Sequence, residues 1–179
     1  MIVFLDFEAS SLARRSFPVE IAWVFETGEA ESHLIRPAAD WTDWDREAER
    51  IHGIDRATLE RDGRPPERLA RRMLEVLEPH ALFASAPSWD GKWLSVLLRG
   101  GGLPRHALRL ADTEEARGAA VARHLGPERA AEAQAILHAV ERMGREAVPE
   151  HRALPDARRE RALWLEAGRR AEAAARNEL

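Results

Sequence analysis

The chain of 179 residues contains no cysteine, which excludes disulfides and thiolate metal sites and leaves Asp, Glu and His to hold any divalent metal. Such a donor set favours hard cations. Lysine is nearly absent, Lys92 being the single one, and arginine carries the rest of the positive charge. No apolar run approaches the length of a membrane span, and Met1 to Leu5 has neither the basic flank nor the length of a signal peptide. The expectation is a cytoplasmic protein with no membrane contact. An excess of positive charge is also lacking: the net charge of −4 argues against a general nucleic-acid coat protein, but not against an enzyme that meets phosphate through bound metals.

What is present is a globular composition, 45% hydrophobic and 32% charged, long enough for one sizeable core and read as a single domain over residues 1–179. The stretch Met1-Ile2-Val3-Phe4-Leu5-Asp6-Phe7-Glu8 begins as a strand buried on both faces. Strand side chains alternate, so Asp6 and Glu8 project to one side at its end. Side by side and buried, two carboxylates need an arginine or lysine, a shared proton or a divalent cation between them. An exposed loop running on through Ala9 to Leu12 accounts for the pair equally well.

Farther along, Val19 to Phe25 and Ser32 to Arg36 read as two more strands around the turn Thr27-Gly28-Glu29, an antiparallel meander with the first strand innermost. Helices are expected over 44–52, from Pro65 to Pro79, and from about Ser88 to Leu98. A fourth strand is expected over 81–85 and a fifth over 107–110, with Asp112 and Thr113 capping the helix that follows. Beyond Gly126-Pro127 the chain reads as helical, interrupted near Val148-Pro149, with residues from about 166 to 179 a solvated helical tail. Glu20, inside an apolar strand, reads as a paired structural acid.

Two later acids are candidates to join Asp6 and Glu8. Asp90 lies after the fourth strand at the start of a helix, and Asp156 opens the last helix five residues after His151. Taken singly, each is a first-turn acid favoured by the helix dipole. The combination resembles the DEDDh family of 3′-to-5′ exonucleases, which includes polymerase proofreading subunits and ribonuclease T; Ile51-His52-Gly53-Ile54 is similar to the family's His-Gly turn. The resemblance covers residues 1 to about 165. Ala9-Ser10-Ser11-Leu12 stand where the family commonly has Thr and Gly, and Ser85 and Ala86 where it often has His-Asn, while the aromatic-Asp pair Trp89-Asp90 is kept.

The resemblance implies a ribonuclease H-like α/β fold: a five-stranded mixed sheet, three antiparallel strands then two parallel, flanked by helices. It implies two divalent cations, Mg²⁺ or Mn²⁺, on Asp6, Glu8, Asp90 and Asp156, with His151 as general base. The implied activity is metal-dependent hydrolysis at single-stranded DNA or RNA 3′ ends, releasing nucleoside monophosphates. Ser10, Phe17, His52 and Trp89 are candidate substrate contacts, although Trp89 and Trp93, four apart on a helix, read more readily as core. A second reading is a ribonuclease H-like module that has lost turnover and binds nucleic acid or protein.

Overall fold

The computed structural model describes residues 1–148 and 150–176; Pro149 and the last three positions of the expected helical tail lie outside the described residues. Chain order gives β1 (Ile2–Ala9), β2 (Pro18–Phe25), β3 (Ala30–Leu34), α1 (Arg46–His52), α2 (Arg56–Asp62), α3 (Pro66–Leu77), β4 (Ala81–Ala84), α4 (Pro87–Gly100), β5 (Leu110–Asp112), α5 (Thr113–Ala122), α6 (Ala130–Glu146) and α7 (Ala153–Arg176). The five strands form one sheet in the order β3-β2-β1-β4-β5. β1 pairs antiparallel with β2, β2 antiparallel with β3, and β1, β4 and β5 run parallel. This is the ribonuclease H-like sheet expected from the sequence, with β1 in the middle.

Alternation along β1 divides the core. Val3, Leu5, Phe7 and Ala9 face α3 and α4, where Leu69, Met73, Leu77, Trp93, Leu94 and Leu97 close over them. Phe4 faces the other way, against Ala116, Ala120 and Trp164 of α5 and α7. Behind that layer α6 packs on α5 and α7 through Val140, Val121, Leu163, Ala167 and Ala171. The end of α7 is therefore solvated on one face only, since Ala167 and Ala171 are fully buried. Among the described residues no helix is long and apolar enough to cross a membrane.

The clearest departures from the sequence expectation are the fifth strand and a short helix. The fifth strand lies at Leu110–Asp112 rather than 107–110, because Leu108 is spent in the α3–α4 core and the ladder to β4 begins at Leu110. Asp112 caps α5 as expected, accepting from the Glu114 amide at 2.8 Å. The short helix α2 lies where the sequence pattern marks no element; its Asp55 cap accepts from Thr58 N–H at 2.7 Å, and Leu59 is its single fully buried side chain. Gly53 ends α1 in the left-handed region at φ 68°, as its glycine predicts.

An ion pair ties the two helices behind β1 together: Arg117 on α5 donates to Glu160 on α7 at 2.9 Å and to Thr113 at 3.1 Å, all of it buried. Arg117→Ala should destabilise the protein by about 3–5 kcal/mol, because Glu160 is left buried and unpaired. Replacing both partners, as Arg117→Met with Glu160→Leu, should leave stability unchanged or raised. Urea titration of the two variants against the parent protein checks this, and a double variant as unstable as the single one would refute it.

Candidate active site

The face of β1 that carries Phe4 continues as Asp6 and then Glu8, both partly buried. Helix α7 packs across this face and brings Asp156, in its first turn, over the two acids. Carboxylate oxygens of Asp6, Glu8 and Asp156 all lie within 4.8 Å of one another. Asp156 is where a helix start favours negative charge, and Arg159 donates to its Oδ1 at 2.7 Å. The β1–β2 register sets Ala22 beside Asp6 and a further acid, Glu20, beside Glu8. Glu20 pairs with Arg152 at 2.6 Å, the structural pairing expected of it.

Asp90 approaches from the start of α4 and is buried. Its Oδ2 accepts the Ala86 amide at 3.2 Å, so it caps its own helix while also repelling Asp6. It stands outside the three-carboxylate cluster. His151 lies in the turn before α7, exposed and with φ 51°; its ring makes no hydrogen bond or ion pair with another described residue. The four acids are thus gathered at one end of the sheet, and the histidine ring is in solvent.

The electrostatics follow from that gathering. Burial, then repulsion from Asp90, Glu8 and Asp156, holds the Asp6 carboxyl well above the usual carboxylate range. Glu8 is pushed up to about 8 by burial and then by Asp156 and Glu20, with Arg152 opposing. Asp90 is pushed up to about 7 by burial, against the backbone amides of Ala86 and Phe7. Close, partly buried oxygen donors that repel one another have the chemistry of a hard-cation site. Asp6, Glu8 and Asp156 are the residues placed to hold an ion.

Of the candidate substrate contacts, three lie in the interior. Ser10 is 1% exposed; its hydroxyl donates to Asp43 and accepts the Phe17 amide. Phe17, also 1% exposed, stacks on Trp41 at 5.4 Å and has no free face for a base. His52 is buried, with Nδ1 accepting the Ile54 amide at 3.0 Å. These residues build the wall behind the site. Trp89 is different: it is 38% exposed and stacks on the buried Trp93 at 5.6 Å, with Lys92 Nζ 5.0 Å from its ring centre. Only Trp93 is core as the sequence suggested. Lys92 and Trp93 both bond Ser16, and Lys92 also bonds the Ala13 carbonyl, fixing the loop after β1 to α4.

Comparison with solved structures decides the fold. The chain superposes on the zinc-bound complex of Escherichia coli exonuclease I with single-stranded DNA at TM-score 0.67 and 16% identity, covering 99% of this chain and 42% of that one. The fold is that of exonuclease I. The same enzyme with a dT13 oligonucleotide matches at TM-score 0.64 and 16% identity over 90% of this chain and 39% of that one. An apo exonuclease I matches at 0.63 and 17%, over 90% and 40%. This chain spans about two fifths of the length of those exonuclease I chains. No family model matches it, and no curated protein does.

A carboxyl whose pKa is raised on folding stabilises the fold while it is protonated, and that contribution is lost as pH rises from the unfolded-chain value through the folded one. For Glu8 and Asp90 the folded values are about 8 and about 7. With chelator present, the melting temperature should therefore fall between about pH 6 and about pH 8. Glu8→Gln should flatten that slope, and Mn²⁺ should raise the melting temperature more at the higher pH, since it binds the ionised acids. A melting temperature that rises with pH in chelator would refute the argument.

Proposed function

We propose that this chain is a metal-dependent 3′-to-5′ exonuclease that removes nucleoside monophosphates from single-stranded DNA or RNA ends. The observation that carries the reading is the convergence of Asp6, Glu8 and Asp156 within 4.8 Å, with Asp90 beside them, at the end of the central strand. Acids buried together destabilise a fold unless a cation or a proton joins them. The fold shared with exonuclease I, solved with single-stranded DNA, supports the same reading.

Asp6, Glu8 and Asp156 would hold the ions, with Asp90 supporting them. When bound, Mg²⁺ or Mn²⁺ would supply positive charge against the phosphate and an acidified water. His151 is the group suited to accept the proton of the attacking water, an imidazole being an efficient base near neutral pH. Water adds to phosphorus, the bond to the 3′ oxygen of the preceding nucleotide breaks, and that oxygen leaves as a hydroxyl. Trp89, exposed and stacked on Trp93 beside Lys92, offers a face for a terminal base, a contact worth about 1–3 kcal/mol.

The test is digestion of matched 5′-labelled DNA and RNA strands with Mn²⁺ or Mg²⁺, read as a ladder of shortened products. His151→Ala should slow the ladder by about 10²–10⁴-fold, and Asp6→Asn or Asp156→Asn should remove it. Oligonucleotide binding without any metal-dependent shortening would instead establish the binding-module reading and sink this one.

A further inference from the structure

Glu20 and Arg152 lie outside the proposed chemistry, yet together they take hold of the segment that carries it. Glu20 is 2% exposed within an otherwise apolar strand and stands directly opposite Glu8 in the β1–β2 ladder. Like charges facing each other across a ladder are unfavourable, and an apolar residue would suit the strand better. The gain lies elsewhere. Glu20 accepts from Arg152 Nε at 2.9 Å and Nη2 at 2.6 Å, and from the Ala153 amide at 3.0 Å. The two-pronged guanidinium contact fixes direction as well as distance. Glu20 thereby acts as a distant cap for α7, supplied by the sheet.

A second observation points the same way. His151 is the single non-glycine residue with positive φ among the described residues. Backbone in that region persists where neighbouring contacts over-determine it. The two residues that follow His151 are the two that Glu20 grips. The carbonyl of Arg152 also receives the Asp156 amide at 3.2 Å. One clipped residue therefore sets both where the His151 side chain leaves the backbone and where the turn bearing Asp156 begins.

We infer that Glu20 and Arg152 are positioning residues, a clip that pins the start of α7 to β2 and so fixes where the His151 side chain leaves the backbone; this rests on the exonuclease reading above. The Arg152 side chain is 46% exposed, so it can be removed without opening the core. Arg152→Ala should lower kcat about tenfold to a hundredfold, the scale expected of a misplaced catalytic group, with KM and Mn²⁺ affinity (by paramagnetic resonance) changed by about twofold or less. Arg152→Lys, which restores one ionic contact, should recover part of the loss. In a His151→Ala background Arg152→Ala should cost no further kcat, because both act through one group. Losses that multiply in the double variant, or that follow a fall in Mn²⁺ affinity, would overturn the clip. Amide exchange followed by NMR decides it without turnover: Arg152→Ala should speed exchange at Ala153 and Asp156 and spare the rest of α7, and unchanged exchange there would overturn it. A wild-type protein that leaves oligonucleotides uncut would overturn the exonuclease reading alone, with the exchange result still deciding the clip.

Discussion

Repulsion among carboxylates at the end of β1 is the constraint around which this molecule is arranged. Phe4, Asp6 and Glu8 share a face because strand side chains alternate, and the face that buries Phe4 under Trp164 buries the acids as well. Two neighbouring acids are relieved by arginine, Asp156 by Arg159 and Glu20 by Arg152. Asp6 and Glu8 have no ion pair of their own among the described residues. The electrostatic deficit is thereby concentrated on two residues of the central strand, and their raised pKa values express it.

Rigid surroundings keep the deficit from relaxing. β1 is paired with β4 over Ile2 to Phe4 and with β2 on through Asp6 and Glu8, so the β2 ladder holds both acids on one face. The loop that follows is tied down by Ser10 and Ser11 on Asp43 and by Lys92 and Trp93 on Ser16. The pair Arg117–Glu160 joins α5 to α7 behind the sheet. A site that must hold like charges together needs this support, since any slack would let them separate into water.

How much of this could be read from the sequence depends on whether the information is local. The parity of Asp6 and Glu8 is local, and so are the glycine that ends α1 and the Asp112 cap of α5. Those readings agree with the structure. Phe17 could not be placed that way, because its partners Trp41 and Trp44 come from a distant segment; an aromatic in a polar loop reads as a surface contact until they are known. The pairing of Glu20 with Arg152 spans most of the chain, and only the oddity of an acid among β-branched neighbours pointed to it. The fifth strand was displaced because an apolar run marks burial, and Leu108 is buried by packing rather than by strand pairing.

The contrast between 16% identity and a TM-score of 0.67 follows from the same division. A core accepts many apolar residues of suitable volume, so the packing of α3 and α4 on one side of the sheet and α5 and α7 on the other can persist while the residues that make it change. The acids of the central strand have no such freedom: moving Asp6 or Glu8 along β1 by a single residue turns it to the opposite face. Shared fold therefore says little about chemistry in either protein. Asp6, Glu8 and Asp156 meeting from two elements far apart in sequence, at a position where burial penalises each of them, is a separate physical fact, and the case for catalysis rests on it.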